Sequence, residues 1–362
     1  MAKRKFFIQW DSTNDCNLRC SHCYHSREGE GHKDHSQGDD LMNFNDVKNM
    51  IDNLNDLTKR WDFSPKFQIS GGEPLLRKDL MQILDYTSSL DMETNILTNG
   101  TLISKEKAKE LYSNGVKRLQ ISLDGNKETH NRIRGRDYAY EKALEGVSNC
   151  NQAGMLVNVS MTLMQSNKMD LEDVVMNSLG AGAGIVGFQS YVPDKVLGVK
   201  DPEFIGAKET YDLFQDIREL RKKYDGKIKV LETEVLWQIM QWDTKLKKEA
   251  RESGKFLSGC GAGFSGVSVL SDGTIYPCRR LPISLGNIKE INLKDLMVDN
   301  EVLKNLRDFD KLKESCCEDV YYCKGCRAIA YATTGDYMAK DPMCFKKFVQ
   351  KEDIEPRVIR RW

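Results

Sequence analysis

The residues of this chain best suited to chemistry are its cysteines. There are 11 of them among 362 residues. Three lie within residues 16–23, one is Cys150, and seven lie between Cys260 and Cys344. The first residues lack the apolar core and the cleavage site of a secretory signal, so we expect a cytoplasmic protein with reduced thiols. Clustered, reduced thiols indicate metal or redox chemistry.

The first cluster consists of Cys16, Cys20 and Cys23, spaced C-x3-C-x2-C directly after a predicted strand. A structural zinc ion requires four closed ligands, and no fourth cysteine follows nearby. A 4Fe–4S cluster takes one ligand per iron, so three cysteines leave one iron open to a small molecule. Because His22 or His25 could complete a zinc tetrahedron, the spacing alone leaves zinc open as an alternative.

Short apolar segments in the first half of the chain predict six β-strands, and amphipathic stretches with apolar residues at i, i+3 and i+4 separate them. Strands that alternate with helices form parallel sheets through right-handed crossovers, which makes the fold class α/β. Ligands bind such sheets at the carboxyl ends of the strands. The predicted strands are residues 6–10, 67–70, 94–97, 118–122, 157–163 and 184–189.

The rest of the chain differs in composition. Residues 191–259 are strongly charged and have a helical pattern, so we interpret them as a bridging region that covers part of the sheet. Residues 260–362 contain two short predicted strands and seven cysteines. Short elements with many cysteines indicate a small domain stabilised by metal.

Three polar motifs follow successive predicted strands. Ser70–Pro74 (SGGEP) follows the second strand, Thr98–Gly100 the third, and Ser122–Gly125 the fourth. Glycines without a Cβ let the backbone approach a ligand closely, Glu73 can pair with an ammonium group, and Arg134 can bind a carboxylate. Taken singly, the SGGEP motif would be interpreted as a tight turn and Arg134 as a solvated surface charge.

The order of these motifs along one βα series resembles the radical S-adenosylmethionine (radical SAM) superfamily, with His22 inside the C-x3-C-x2-C motif. The resemblance implies a partial (β/α)6 TIM-like barrel over residues 1–190 and a SAM-binding 4Fe–4S cluster on Cys16, Cys20 and Cys23. It also implies that SAM contacts lie at His22, Gly71, Gly72, Glu73, Pro74, Asn99, Ser122, Asp124 and Arg134.

The second group of cysteines has the spacing C-x12-G-x4-C from Cys260 to Cys278, followed by five cysteines after residue 315. This pattern is similar to the SPASM domain, an auxiliary iron–sulfur module of radical SAM enzymes. The resemblance implies two further 4Fe–4S clusters. One would be held by Cys260, Cys278 and Cys326, and the other by Cys317, Cys323 and Cys344.

The pattern departs from that family at one position. Glu314 stands where a cysteine is usual, and Cys316 could substitute for it as a ligand. The first auxiliary cluster also lacks an obvious fourth cysteine. Ligand softness alone would let zinc occupy this region, and the N-terminal cluster favours iron. We expect Cys150 to be a buried structural thiol.

The resemblance implies reductive cleavage of SAM to a 5′-deoxyadenosyl radical that takes a hydrogen atom from a substrate. We expect a peptide maturase that crosslinks, epimerises or oxidises a ribosomally made peptide. Enzymes of haem, tetrapyrrole or metallocofactor biosynthesis are the alternative, and a non-catalytic zinc-binding interaction protein is a remote one.

The expected partners follow from this interpretation and from the charge. Because the chain begins at its first predicted strand, a separate protein or the catalytic domain itself would recognise a leader peptide. A flavodoxin or ferredoxin would supply electrons. Lys+Arg and Asp+Glu are balanced at 54 each, which gives no reason to expect a nucleic acid or membrane partner.

Overall fold

The computed structural model describes residues 3–24, 41–231, 234–241, 248, 252, 259–315, 317 and 319–355. Its centre is one nine-stranded sheet with the strand order β7-β6-β5-β4-β3-β2-β1-β8-β9. Every neighbouring pair is parallel except β8–β9. The strands are β1 (Lys5–Asp11), β2 (Ser64–Ser70), β3 (Glu93–Thr98), β4 (Arg118–Ser122), β5 (Leu156–Leu163), β6 (Ile185–Ser190), β7 (Lys229–Leu231), β8 (Gly266–Val269) and β9 (Ile275–Tyr276).

Helices connect the strands, as expected for parallel crossovers. In chain order the described helices are α1 (Phe44–Arg60), α2 (Leu80–Ser89), α3 (Lys105–Ser113), α4 (Lys127–Arg134), α5 (Ala139–Gln152), α6 (Leu171–Gly180), α7 (Ala207–Lys223), α8 (Leu293–Asp299), α9 (Glu301–Arg307), α10 (Phe309–Ser315) and α11 (Arg327–Thr334). Short 3-10 turns lie at Pro74–Leu76, Gly198–Lys200, Val235–Met240, Lys346–Phe348 and Lys351–Asp353.

The predicted α/β fold class is confirmed, and all six predicted strands are present as β1–β6. Alternate residues of β1 explain why this strand is stable: Phe6, Ile8 and Trp10 are fully buried. Trp10 stacks on Phe67 of β2 with ring centroids 5.9 Å apart. The sheet is an open, partial barrel, because both of its outer strands have only one neighbour.

Sequence reasoning missed α4 and α6. The signals for α4 were present, since Asn126 caps its N-terminus through a hydrogen bond from the Thr129 N–H, and Gly135 ends it with a φ of 68°. An asparagine N-cap and a left-handed glycine after the last turn are typical helix boundaries. Helix α4 has few apolar residues, so its hydrophobic periodicity was weak.

The C-terminal cysteine-rich region is joined to the barrel more closely than the sequence predicted. Strand β8 pairs in parallel with β1, from Phe7 opposite Gly266 to Trp10 opposite Val269. Strand β7, in the region interpreted as helical, pairs with β6. The two predicted short C-terminal strands are present, but they extend the main sheet. The domain boundaries at 190 and 260 stay predictions.

The core is continuous across both halves of the chain. Cys150 is fully buried in it, and burial raises the pKa of this thiol to about 12, as expected for a structural cysteine. None of the described helices combines the length and the apolar character needed to span a membrane.

Candidate active site

The carboxyl ends of β1–β4 meet at one edge of the sheet, and the predicted motifs lie there. The loop after β1 carries Cys16, Cys20 and Cys23, all partly buried. Burial is the main cause of the raised pKa of Cys16, and the nearby thiols of Cys20 and Cys23 raise it further. The structure therefore brings the three predicted ligands together.

The glycines after β2 make room for this loop. The Gly72 N–H donates to the Thr13 carbonyl at 2.7 Å, and the Glu73 N–H donates to the Asp15 carbonyl at 2.7 Å. A Cβ on Gly72 would lie 2.1 Å from the Asp15 oxygen, which no side chain can accommodate. Gly71 has a φ of 125°, in the region that favours glycine. The close approach predicted for a ligand is thus made by the cysteine loop itself.

The other side of the loop rests on the end of α4. The Arg19 N–H donates to the Arg134 carbonyl at 3.1 Å, and the Ser21 N–H donates to the Ile133 carbonyl at 2.9 Å. A Cβ on Gly135 would lie 2.7 Å from the Arg19 oxygen. The last carbonyls of α4, which have no partner within the helix, fix the position of the cysteine loop.

Glu73 is a fully buried carboxylate at the end of β2. One oxygen accepts hydrogen bonds from the Thr98 hydroxyl at 2.7 Å and the Leu75 N–H at 3.2 Å, and the other accepts from the Asn99 N–H at 2.9 Å. Burial raises its pKa although these donors oppose the shift. Pro74 begins the 3-10 turn that Glu73 caps.

Asp124, after β4, is a second buried carboxylate. It forms an ion pair with Arg134 at 2.6 Å and lies 3.4 Å from the His22 ring nitrogen. Burial would raise its pKa, but Arg134 and His22 outweigh burial and lower it. Its other oxygen accepts from the Thr162 N–H at 3.0 Å. Arg134, predicted as a solvent-facing or SAM-binding group, is a buried partner of Asp124.

His130 supports the same network from α4. Its Nδ1 accepts a hydrogen bond from the Asp124 N–H at 2.9 Å, so its proton resides on Nε2. Burial, together with the positive charge of Arg134, lowers its pKa to about 3. His130 is therefore a neutral residue that positions Asp124.

The thiols have the surroundings that an iron–sulfur cluster requires. Burial raises the pKa of Cys16 to about 11 and also raises that of Cys20, so metal must displace their protons. The Leu18 N–H points at the Cys16 sulfur at 3.5 Å, and Arg134 Nη1 points at the Cys20 sulfur at 3.5 Å. Such donors stabilise sulfur that carries negative charge.

At this edge of the sheet, the buried Nε–H of Arg134 has no hydrogen-bond partner among the described residues. Because it lies in a guanidinium beside the Cys20 sulfur, it is suited to an anion bound at this edge. Asn99 also faces the thiols: its amide nitrogen is 4.0 Å from the Cys16 sulfur and 2.9 Å from the Asn17 side-chain oxygen. Ser122 ends β4 at the same edge, half-buried.

The first predicted auxiliary set also comes together. Burial is the main cause of the raised pKa of both Cys278 and Cys326, and the nearby Cys260 thiol raises each of them further. Lys324 lies fully buried close by, with Nζ 3.1 Å from the Ala262 carbonyl, and burial lowers its pKa to about 8. No local sequence pattern predicted this buried cation.

The second predicted auxiliary set lines one pocket. Cys317, Cys323 and Cys344 border about 300 Å³ of empty space, part of it open to solvent, with Asp341 beside them. The Asp341 carboxylate accepts from the Cys326 N–H at 2.7 Å and the Met343 N–H at 2.9 Å, and burial raises its pKa to about 6. It connects the two thiol sets.

Two predicted ligands, Cys316 and His25, lie outside the described residues. Within the part of the chain that the structure describes, no three His, Cys, Asp or Glu side chains are close enough to hold a single metal ion. All three predicted ligand sets consist of cysteine thiols, which are the ligands that iron–sulfur clusters take.

Arg279 and Arg280 are site residues that sequence reasoning missed. They follow Cys278 directly, which was the available signal. Arg279 is buried and forms an ion pair with Asp11 at the end of β1, and Arg280 Nη1 donates to the Ser190 carbonyl at the end of β6 at 2.7 Å.

These two contacts link β1 and β6, which are five places apart in the sheet. In a parallel barrel the carboxyl ends of the strands surround a mouth. The chain segment after Cys278 lies across this mouth and contacts the ends of both strands.

An open parallel barrel with a three-thiol loop at its mouth and two more thiol sets beside it defines an iron–sulfur enzyme. Residues 10–176 match the model of the radical SAM superfamily, and residues 260–327 match the SPASM iron–sulfur cluster-binding domain. The chain is 31% identical to the AdoMet-dependent heme synthase of Methanosarcina barkeri, over 95% of this chain and 97% of that protein. The chain belongs to the radical SAM superfamily.

Further relatives have different names. The Fe-coproporphyrin III synthase of Methanosarcina barkeri is 29% identical over 97% of this chain and 90% of its own length. The antilisterial bacteriocin subtilosin biosynthesis protein AlbA of Bacillus subtilis is 25% identical over 95% of this chain and 72% of its own. Streptococcus suis SuiB bound to S-adenosylmethionine has the same fold, with a TM-score of 0.70 and 16% identity, over 94% of this chain and 77% of its own.

Proposed function

We propose that this radical SAM enzyme modifies a tetrapyrrole of the haem class by taking a hydrogen atom from a C–H bond at the periphery of the ring. The observation that carries the proposal is the 31% identity to a heme synthase along nearly the whole chain. A second relative of similar coverage is also named for a tetrapyrrole. The comparisons thus favour the tetrapyrrole alternative over the peptide substrate expected from the sequence.

The SAM site would be built from the residues at the ends of β2–β4. Glu73 has no exposed surface, so it would act on the SAM ammonium group through its negative charge, and Asn99, whose N–H it binds, would lie beside that group. The buried Nε–H of Arg134 would donate to the SAM carboxylate, with Asp124 and His22 orienting that guanidinium. Gly71, Gly72 and Pro74 would shape the turn that holds Glu73, and Ser122 would line the same edge.

When bound, the reduced cluster supplies the electron that cleaves SAM and so provides the hydrogen-abstracting 5′-deoxyadenosyl group. The contribution of the chain is to bind, orient and exclude water. Glu73, Asp124 and Arg134 are each almost completely buried, so water is largely excluded from the groups that would hold SAM. The two auxiliary thiol sets would hold one 4Fe–4S cluster each, and a flavodoxin or ferredoxin would deliver electrons.

The test is turnover of a defined tetrapyrrole. Reconstituted, reduced enzyme is incubated without oxygen with SAM and iron coproporphyrin III, and the masses of the tetrapyrrole and 5′-deoxyadenosine are measured. We expect the tetrapyrrole to change mass in step with 5′-deoxyadenosine formation. The Cys16→Ala, Cys20→Ala, Cys23→Ala triple variant should form neither product. SAM cleavage that leaves iron coproporphyrin III unchanged would contradict the proposal.

A peptide substrate is the second candidate, and the similarity to AlbA, a bacteriocin biosynthesis protein, favours it. The same reaction is run with short peptides encoded near the gene of this protein, with or without a separate leader-recognition protein. A loss of two hydrogens would indicate a crosslink, and one deuterium taken up from solvent would indicate epimerisation. Either result, without tetrapyrrole turnover, would replace the tetrapyrrole proposal.

A further inference from the structure

The segment that crosses the mouth of the barrel is a β-turn whose first residue is the thiol-bearing Cys278. The Leu281 N–H donates to the Cys278 carbonyl at 2.8 Å, which closes the turn. The two corner residues are Arg279 and Arg280. Adjacent corner residues direct their side chains apart, and here one reaches β1 and the other reaches β6.

The two arginines differ in what they contact. Arg279 is buried, and its guanidinium pairs with the Asp11 carboxylate, which also accepts a hydrogen bond from Ser70 at 2.8 Å. Its charge is therefore matched within the protein. Arg280 is only half-buried, and among the described residues it forms no ion pair with a carboxylate.

Arg280 lies near two of the proposed sites, the cysteine loop and the first auxiliary thiols. Its charge interacts with the thiols of Cys278 and Cys326 and with Tyr24, the residue after Cys23. The adjacent Arg279 guanidinium lies 5.4 Å from the centre of the Tyr24 ring, so the turn contacts the end of the cysteine loop. Its acidic neighbour Glu234 has both oxygens engaged, one by the Ser190 N–H at 2.8 Å and one by the Val235 N–H at 2.7 Å. Arg280 thus brings positive charge near both the cysteine loop and the first auxiliary thiols.

We propose that Arg280 is a substrate-binding residue that holds a carboxylate of the tetrapyrrole at the mouth of the barrel. The inference rests on the proposed function, because it is the propionate side chains of haem-class tetrapyrroles that supply the anion. The guanidinium is planar, always charged and able to form two parallel hydrogen bonds to one carboxylate. The Ser190 carbonyl accepts from one N–H at 2.7 Å, and the guanidinium also hydrogen-bonds the Cys278 thiol, so the group is fixed in orientation. A guanidinium has five N–H donors, so two contacts within the protein leave donors for a substrate carboxylate.

The test compares binding of tetrapyrroles with and without carboxylates. Anaerobic absorbance titrations of the reconstituted enzyme use iron coproporphyrin III, which has four propionates, and iron octaethylporphyrin, which has none. For Arg280→Gln we expect the Kd of iron coproporphyrin III to rise roughly 10- to 100-fold, since a hydrogen-bonded charge pair is lost. The Kd of iron octaethylporphyrin should not change. Arg280→Lys keeps the charge and loses the paired geometry, so its Kd for iron coproporphyrin III should lie between those of the wild type and Arg280→Gln.

The matched control is Arg118→Gln, because Arg118 begins β4 at the opposite edge of the sheet and should leave both affinities unchanged. Iron and sulfide are counted in every variant, since Arg280 adjoins Cys278. If Arg280→Gln loses iron, the inference is tested with Arg280→Lys at full iron content. A Kd of Arg280→Lys for iron coproporphyrin III equal to that of the wild type would then overturn the inference. Equal affinity of iron-replete Arg280→Gln and wild type would overturn it while tetrapyrrole turnover stands. If the wild type turns over no tetrapyrrole, the proposed function fails and takes this inference with it.

Discussion

At the scale of single residues, the site is a set of buried charges that are matched to one another. Asp124 has no exposed surface, and its charge is balanced by Arg134 at 2.6 Å. A buried ion pair of this kind adds little net stability, but loss of one partner costs about 3–5 kcal/mol because the other is left uncompensated. The network therefore fixes geometry at the cysteine loop more than it stabilises the fold.

His130 makes the stability of this network depend on pH. Its pKa is lowered to about 3 in the fold, against an ordinary value of 6.5. Between these values the unfolded chain binds a proton that the folded chain does not, so stability falls as pH falls from about 6.5 towards 3. When the pH falls from about 7.5 to 5, this one residue should lower the free energy of unfolding by roughly 2 kcal/mol.

The measurement is urea unfolding of the metal-free protein at both pH values, beside His130→Asn. Asparagine can still accept the hydrogen bond from the Asp124 N–H but cannot be protonated. Between the two pH values, the free energy of unfolding of the variant should fall by about 2 kcal/mol less than that of the wild type. Equal losses would show that His130 is protonated in the folded state.

At the scale of elements, two structural supports position the cysteine loop: the glycine turn after β2 and the end of α4. Gly72→Ala tests the first, because its Cβ would lie 2.1 Å from the Asp15 carbonyl oxygen. The loop must shift, and we expect a loss of about 1–3 kcal/mol in stability. SAM cleavage and the iron of the first cluster should be lost, and the auxiliary iron retained.

Gly180→Ala is the matched control for that substitution. Gly180 is the last residue of α6, and a Cβ there would meet nothing within 4 Å. Removing a glycine from a helix should leave iron content unchanged and stability equal or higher by up to about 1 kcal/mol. Full iron and normal SAM cleavage in Gly72→Ala would show that the loop tolerates displacement.

The sequence predicted the elements that carry local signals. Strands β1–β6 follow from short apolar runs, and the positions of Cys16, Glu73 and Asp124 at one edge follow from parallel topology. The pairing of β8 with β1 could not be predicted, because no local pattern specifies a partner about 260 residues away. For the same reason the roles of Arg279 and Arg280 could not be predicted, since their partners lie at the ends of β1 and β6.

At the scale of the whole molecule, the thiols form three sets, and the number of clusters can be counted. We predict on the order of twelve irons per chain after anaerobic reconstitution, four for each set. Replacing Cys16, Cys20 and Cys23 by Ala should leave about eight irons per chain and abolish SAM cleavage. Iron and acid-labile sulfide analysis provides the measurement.

Cys150→Ala is the control for the iron count, because this buried thiol lies apart from the three sets and should bind no iron. A wild-type count of about four would remove the auxiliary clusters from the interpretation. Zinc without sulfide would instead support the zinc-binding alternative.

The pairing of β1 with β8 also has a consequence for how the chain is made. Residues 5–11 leave the ribosome about 260 residues before residues 266–269, and at 5–20 residues per second the interval is roughly 13–50 s. Throughout that time β1 can pair with β2 on one side only, and the backbone N–H and C=O groups on its other edge lack β8 as a partner. Such an edge, on a strand that also carries the apolar Phe6, Ile8 and Trp10, can pair with other chains. The nascent protein is therefore most prone to aggregation until its cysteine-rich end emerges and completes the sheet.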